Sequence, residues 1–219
     1  MMNVRVFYEK TGRARFISHL DMMRFMTRAL KRSGLPVWYT EGYNRHIYTT
    51  FALPLSLGFE SLCEFMDFRL LPDEYDLDQA ARDLNACLTP DVRVARAAVP
   101  VLGPEAIRWA DFRLTFLECG DPAGLEEALR RFCGQSSICV EKKTKRGVGT
   151  VDIAPLMTLL EAGSAPGSTT ALLRLAAGGT MNINPNLALQ EFWRQSGFAP
   201  GPVRVLRTRV LTENFADFA

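Results

Sequence analysis

Two stretches of the sequence, one near the end of each half of the chain, resemble one another. DVRVARAAV starts at Asp91 and PVRVLRTRV starts at Pro202, and both show the alternation of a half-buried strand. They lie about 110 residues apart, and self-similarity at such a spacing indicates a repeated structural unit. The 219-residue chain is therefore predicted to fold as two modules with the same elements in the same order.

The first module begins with a strand and a helix. Val4, Val6 and Tyr8 occupy alternate positions, which is the period of a strand with one buried face. Ser18 then supplies a helix N-cap, and Gly34 ends the helix. The remaining predicted elements are one irregular strand made of VWYT and IYTTFALPLS, a strand over residues 62–70, a helix from Pro72 to Pro90 and the strand DVRVARAAV. This order, β-α-β-β-α-β, is that of the ferredoxin-like unit.

The second half follows the same plan. Alternating apolar residues in FRLTF predict a strand, and Asp121 with Pro122 begins a helix. The segments that follow are the strands ICVEKK and VGTVDI, a short helix in PLMTLLEAG, the strand TTALLRLAA, a helix from about Asn186 and the strand PVRVLRTRV. The predicted fold class is therefore α+β, with two tandem ferredoxin-like modules over residues 1–99 and 105–212 and a Pro- and Gly-containing linker between them.

Charge is distributed unevenly along the chain. Residues 1–50 hold nine Lys and Arg against three Asp and Glu, whereas residues 51–100 hold four against nine. The net charge of +2 therefore conceals a strongly basic first segment. Such an asymmetry indicates a basic face that meets an anion, either a phosphate backbone or an acidic protein surface.

Composition narrows the class of protein. With 47% hydrophobic residues the chain can bury a core, and no apolar run approaches the roughly 18 residues of a membrane-spanning helix. The N-terminus does not resemble a signal peptide, so we expect a cytoplasmic protein with no membrane partner. The five cysteines include no C-x-x-C pair, which argues against a disulfide scaffold or a four-cysteine zinc site. We therefore expect no cofactor to be bound by this chain.

The helix after Ser18 is amphipathic and basic. The residues predicted to face the core are Leu20, Met23, Met26, Thr27 and Leu30. The residues predicted to share the opposite face are Arg24, Arg28, Lys31 and Arg32, because residues three and four apart are neighbours on a helix. This basic face is the first candidate for contact with phosphates.

Further candidates for nucleic-acid contact lie in loops. The run KKTKRGVGT combines cations with glycines, whose freed backbone N–H groups suit phosphates, although a solvated hairpin tip is an equal alternative. Tyr43, beside a glycine, is the best candidate for stacking on an unpaired base. The predicted nucleic-acid contacts are Arg13, Arg15, Arg24, Arg28, Lys31, Arg32, Tyr43, Arg45, Lys142, Lys143, Lys145 and Arg146.

One set of residues has the chemistry of an acid–base or metal site. His19, Asp21, Glu41 and His46 combine imidazoles with carboxylates, which titrate usefully and ligate divalent metals. Residues two apart on a helix point about 200° away from each other, so His19 and Asp21 converge only if the EGYNRH loop folds over the start of the helix. The alternative is structural, with His19 and Asp21 at the helix cap. We therefore predict no metal site.

Three motifs carry a resemblance to a known family. The runs are FISHLDMMRFMTRAL, YTEGYNRH and FALPLSLGFES, with Glu64 and Asp67 close behind. They resemble the signature of the radical SAM-linked proteins, a domain of unknown function fused to, or encoded beside, radical S-adenosylmethionine enzymes. Weaker similarity continues through KRGVGTVDIAPLM and INPNLALQEFW, whereas Thr40, Arg45 and Ile47 replace the expected Ser, Pro and Pro. The resemblance implies a radical SAM enzyme as partner, and any iron–sulfur cluster and S-adenosylmethionine would belong to that partner.

The sequence favours one function over two alternatives. The preferred hypothesis is a non-catalytic RNA-binding module that presents RNA to a radical SAM enzyme, in RNA modification or maturation. The second is a stand-alone enzyme with an acid–base or metal site at His19, Asp21, Glu41 and His46. The third is a protein-interaction domain whose basic helix docks on an acidic partner without RNA.

Overall fold

The computed structural model describes residues 1–144, 147–179 and 181–219. The chain divides into two compact units, unit 1 over Met1–Glu105 and unit 2 over Ala106–Phe218. Within the described ranges, no helix is long and apolar enough to cross a membrane. Both units combine helices with an antiparallel sheet, so the predicted mixture of α and β structure is confirmed.

Unit 1 has the element order β-α-β-β-α-β. Its elements are β1 Met2–Lys10, α1 His19–Arg32, β2 Thr49–Phe51, β3 Glu60–Leu70, α2 Leu77–Asn85 and β4 Val92–Ala98. The strands lie in the order β4-β1-β3-β2. Since β1 and β2 both run antiparallel to β3, they are parallel to each other with β3 inserted between them. This is a split β-α-β arrangement.

Alternation along the strands of unit 1 separates two faces of the sheet. Val4, Val6 and Tyr8 of β1 are buried in the core that the sheet forms with α1 and α2. Asn3 and Arg5 alternate with them and therefore lie on the face turned away from the helices. The second face carries Arg5 of β1 with Asp67 and Arg69 of β3, and it becomes important below.

The helix α1 begins where the sequence predicts but is rotated about its axis relative to the prediction. Ser18 is the N-cap, and its Oγ accepts a hydrogen bond from the backbone N–H of Asp21 at 3.2 Å. The buried residues of α1 are Met22, Met26, Ala29 and Leu30, instead of the predicted set Leu20, Met23, Met26, Thr27 and Leu30. Leu20 is 64% exposed, because it stands on the same side of the helix as the cations.

The strand predicted over IYTTFALPLS is much shorter than expected. Only Thr49–Phe51 pairs with β3 as a strand, and the chain then leaves the sheet. The other part of the predicted strand, VWYT, contributes isolated bridges from Val37 to Leu70 and from Tyr39 to Ile47. Leu53 has a φ of 51°, a left-handed conformation that a strand cannot contain, and Pro54 follows it. Residues 52–58 therefore form a strap that crosses beside the start of α1.

Unit 2 repeats the strand order and adds a hairpin. Its elements are β5 Trp109–Leu117, α3 Pro122–Cys133, β6 Cys139–Thr144, β7 Gly147–Asp152, β8 Met157–Ala165, β9 Ser168–Ala176, α4 Pro185–Ser196 and β10 Val203–Leu211. The main sheet has the order β10-β5-β9-β8, with antiparallel neighbours, and β6 pairs only with β7. Apart from the β6–β7 hairpin, the first, second, third and fourth strands of unit 2 therefore neighbour one another as in unit 1.

The prediction of a short helix in PLMTLLEAG was wrong. This segment forms a 3-10 turn over Ala154–Leu156 and then the strand β8, which makes a hairpin with β9. The register of β8 on β9 shifts between Leu159 and Glu161. A bulge of this kind interrupts the strict alternation of a strand, which is the pattern that a sequence-based prediction depends on.

Candidate functional site

The exposed side of α1 is the most basic surface that the sequence predicted. We call it the α1 surface and define it by Arg24, Arg28, Lys31 and Arg32, all of which are exposed. Arg24 contacts Asp21 at 3.2 Å, and Arg32 donates a hydrogen bond to the carbonyl oxygen of Cys87 at 2.8 Å. Arg28 and Lys31 form no ion pair with any residue that the structure describes. Two of these four cations are thus available to an external anion.

The chain just before α1 carries two further cations, Arg13 and Arg15. Arg13 has a side chain that is 92% exposed and contacts Asp91 at 3.3 Å. The guanidinium carbon of Arg15 lies 4.7 Å from the centroid of the Phe16 ring. Phe16 is itself 64% exposed, so an accessible aromatic ring lies beside Arg15, and Phe16 was not among the residues predicted from the sequence. Its position between Arg15 and the N-cap Ser18 was the available signal.

The structure describes the side chains of some, but not all, of the nucleic-acid contacts predicted in loops. Tyr43 and Arg45 lie in the loop over residues 41–46. The Tyr43 side chain is fully exposed to solvent, and Arg45 is also exposed. Lys142 and Lys143 belong to β6. Their side chains, together with Lys145 and Arg146, lie outside the described part of the chain.

The hydrogen bonds of His46 and Asp21 go to neighbouring residues and not to other members of the predicted acid–base site. His46 is exposed, and its Nδ1 lies 3.1 Å from Oγ1 of Thr40 and 3.0 Å from the carbonyl oxygen of Asn44. Asp21 accepts from the Ser18 hydroxyl at 2.7 Å, and this bond, with the Arg24 contact, lowers the pKa of the carboxyl. Glu41 is exposed in the loop. These contacts support local turns and the helix cap.

His19 belongs to a different polar cluster, which we call the His19 cluster: Tyr8, Lys10, His19 and Glu64. These residues line one small cavity beneath the strap that includes Pro54. Lys10 is 2% exposed and donates to the carbonyl oxygen of Ile17 at 2.9 Å, and Glu64 is 6% exposed. Burial lowers the pKa of His19, nearby Glu64 opposes that shift and Lys10 adds to it.

Lys10 and Glu64 were not chosen as site residues from the sequence. Lys10 follows Val4, Val6 and Tyr8 at a position where alternation predicts a core residue, and a lysine there is a detectable anomaly. The cavity beside them has a volume of about 10 Å³, which is room for one water molecule at most. In this arrangement the His19 cluster cannot hold a substrate.

Metal binding receives no support from the side chains. Across the described ranges, no group of three or more His, Cys, Asp and Glu residues is placed to share a metal ion.

Comparison with known proteins places the chain in a family. Residues 3–185 match the family described as "Uncharacterized protein conserved in bacteria (DUF2344)". The chain belongs to this family. No curated protein matches the sequence.

Two solved structures show limited similarity to this chain. One is a chain of the "Crystal Structure of a Cbf5-Nop10-Gar1 Complex", with a TM-score of 0.48 and 11% identity over 94% of this chain and 48% of that one. This chain thus spans about half the length of that protein. The other is an unknown protein from Galdieria sulphuraria, with a TM-score of 0.27 and 16% identity over 94% of this chain and 98% of that one. Both TM-scores are too low to support an inference about fold or function.

Proposed function

We propose that this chain is a non-catalytic RNA-binding module that presents RNA to a radical SAM enzyme. The α1 surface would contact phosphates, helped by Arg13 and Arg15. The partner enzyme is proposed from the sequence motifs around α1, which resemble those of the radical SAM-linked proteins. The iron–sulfur cluster and S-adenosylmethionine would then be carried by the partner.

The observation that carries the RNA-binding proposal is the exposure of Arg28 and Lys31 without ion-pair partners in the described ranges. Phosphate contacts supply most of the affinity of sequence-independent nucleic-acid binding, and they are made chiefly by accessible Arg and Lys. Exposed Phe16, which lies beside Arg15, suits a single-stranded or looped RNA, whose bases stack on aromatic rings.

We also propose that both units are ferredoxin-like. Support comes from the shared strand neighbours, in which the first strand lies between the fourth and the third. Unit 2 would then be a variant with the β6–β7 hairpin inserted between its first helix and its second strand. The small size of the cavity at the His19 cluster favours a binding role over a catalytic one.

Fluorescence anisotropy with bulk transfer RNA and a DNA duplex of matched length tests the proposal. The variant Arg28→Glu/Lys31→Glu should bind RNA more weakly. Removing two phosphate contacts should also reduce the slope of log affinity against log salt by roughly 1.4 to 1.8. The matched control is Arg113→Glu/Arg131→Glu, which changes the net charge equally at exposed positions of unit 2.

The outcomes separate three explanations. RNA-selective binding that is lost in the α1 variant and kept in the control supports the proposal. Equal losses in both variants would mean that net charge alone drives binding, and no binding at low salt would reject RNA as the ligand. Co-purification of a protein that persists after nuclease treatment and depends on Arg28 would point instead to docking on an acidic partner.

A further inference from the structure

A second cavity of unit 1 lies on the sheet face turned away from α1 and α2. It has a volume of about 280 Å³, close to the lower end of the roughly 300–1,000 Å³ typical of small-molecule sites. One wall is formed by Asn3, Tyr48, Thr50, Asp67 and Arg69, and the other by the loop over residues 100–104. The site is therefore separate from both the α1 surface and the His19 cluster.

Arg69 is held in a fixed position at this cavity. Its Nε donates a hydrogen bond to Oδ1 of Asn3 at 3.0 Å. Its guanidinium carbon lies 5.4 Å from the centroid of the Trp38 ring and 5.0 Å from that of Tyr48. Both distances are within the range of a cation–π interaction. The two rings, whose centroids are 6.1 Å apart, thus orient the guanidinium before any ligand arrives.

The charge of Arg69 is not neutralised in the same way as that of its neighbour Arg5. Arg5 is 1% exposed, and its Nε and Nη2 donate to the two carboxylate oxygens of Asp67 at 2.7 and 2.8 Å. Its Nη1 donates to the carbonyl oxygen of Leu102 at 2.8 Å, which fastens the loop wall to the sheet. Arg69, by contrast, makes no ion pair within the described ranges. The cavity therefore carries one oriented positive charge.

The lining is suited to an anionic group joined to a flat aromatic one. A guanidinium binds phosphate oxygens through pairs of N–H donors. Tyr48 is 39% exposed and offers an aromatic surface, and the Thr50 hydroxyl and the amide N–H groups of Asn3 can bond to the edge of a base. The volume admits a single nucleotide and excludes a duplex.

We propose that this cavity binds one nucleotide, with its base against Tyr48 and its phosphate on Arg69. The nucleotide is either free or an unpaired residue of an RNA strand, since both present the same chemistry. The proposal goes beyond RNA binding at the α1 surface, because a free nucleotide would bind whether or not that surface contacts RNA.

Isothermal titration of the full chain with the four nucleoside monophosphates tests the site, with the nucleosides and inorganic phosphate as partial ligands. The Tyr48→Ala variant should weaken binding by roughly 5- to 150-fold, the range that stacking of one base is worth. Arg69→Lys keeps the charge but loses the planar fork, so we expect weaker phosphate binding with unchanged folding. The matched controls are Leu62→Ala, an exposed apolar residue, and Arg93→Lys, an exposed strand arginine of the same unit.

Titration with an unpaired RNA pentanucleotide distinguishes the two sources of the ligand. Tight monophosphate binding that is lost in Tyr48→Ala identifies a free nucleotide, and loss confined to the pentanucleotide identifies a residue of RNA. The variant Arg28→Glu/Lys31→Glu should leave monophosphate binding unchanged, so failure of the α1 proposal is visible separately. The inference is overturned if neither ligand binds, or if the two controls weaken binding as much as Tyr48→Ala and Arg69→Lys do.

Discussion

Replacing Asp67 by Ala should destabilise unit 1 severely, because it leaves the charge of Arg5 buried without its carboxylate. The Arg5 side chain is 1% exposed and that of Asp67 22%, and two short hydrogen bonds join them. Removing one partner of such a pair costs about 3–5 kcal/mol, since the remaining charge is uncompensated. We take about 4 kcal/mol as the expected loss in the free energy of unfolding.

Urea unfolding followed by circular dichroism measures this loss. With an m-value of about 2 to 3 kcal/mol per M, the midpoint of Asp67→Ala should fall by about 1 to 2 M urea. Asp73→Ala is the matched control, because the Asp73 side chain is 92% exposed and its ion pair is with the N-terminal ammonium group. This control should change stability by less than about 1 kcal/mol.

A second variant separates the buried charge from the lost packing. Arg5→Met/Asp67→Leu removes both charges together and should recover most of the loss, as replacement of a buried ion pair by apolar residues often does. The reasoning is refuted if Asp67→Ala shifts the midpoint no further than Asp73→Ala. It is also refuted if the double variant is as unstable as the single one.

Three further predictions concern local features. Ser18→Ala removes the N-cap of α1 and should cost about 1 kcal/mol in urea unfolding, with Ser33→Ala at the other end as the control. Because burial lowers the pKa of His19 below 6.5, the unfolded chain binds more protons below that pH. Stability should therefore fall as the pH drops from about 6.5, and His19→Asn should flatten this dependence, whereas an unchanged slope would assign it elsewhere. Burial raises the pKa of the Cys133 thiol to about 11, so at pH 8 exposed Cys139 should react with iodoacetamide first, and mass spectrometry of the peptides reads the order.

Elements whose signals are local could be predicted well. The caps and periodicity of α1 and the alternation of β1 depend on residues within a few positions of each other, and the structure has both elements in place. The buried side of α1 could not be predicted correctly from the sequence. The choice between Leu20 and Met22 depends on how the helix meets the sheet, and both residues are apolar. Tertiary packing decides between the two.

Elements with irregular pairing could not be predicted. The bulge at Leu160 removes the alternation of β8, and the positive φ of Leu53 ends β2 after three residues without any glycine to signal it. A leucine in the left-handed region is uncommon, so a sequence-based prediction continues the strand. Such positions are stabilised by the surrounding structure and not by their own residue type.

The candidate sites show the same division. The basic face of α1 could be found because its four cations are close in sequence. The cavity beside Arg69 could not be found in this way, since Tyr48 and Arg69 come together only through the pairing of β2 with β3 and the fold of the chain around Trp38. Asn3, which fixes the Arg69 side chain, is 66 residues away in the sequence. Long-range strand register therefore creates this site, and no local pattern reports it.

The buried ion pairs of the two units support an internal repeat. Arg5 on the first strand of unit 1 is the register partner of Asp67 on the third, whereas in unit 2 Asp111 on the first strand is the partner of Arg174 on the third. Arg174 Nε and Nη2 donate to the carboxylate of Asp111 at 2.8 and 2.9 Å, which is the same two-bond geometry with the charges exchanged. In this topology, the arginine of the ion pair can therefore lie on either the first or the third strand.

Exchanging the charges in unit 1 tests this equivalence. Arg5→Asp/Asp67→Arg should be more stable than the sum of its single variants predicts, with a coupling energy of about 1–3 kcal/mol in a double-mutant cycle. Recovery should be incomplete, because the new arginine would stand two residues from Arg69 on the same face of β3, and the new aspartate could not donate to Leu102. Unit 2 has Leu172 and Ala176 at the corresponding positions of β9, and its additional arginine, Arg209 on β10, lies opposite Asp111 instead. A coupling energy near zero would mean that the resemblance of the two pairs is not structural equivalence.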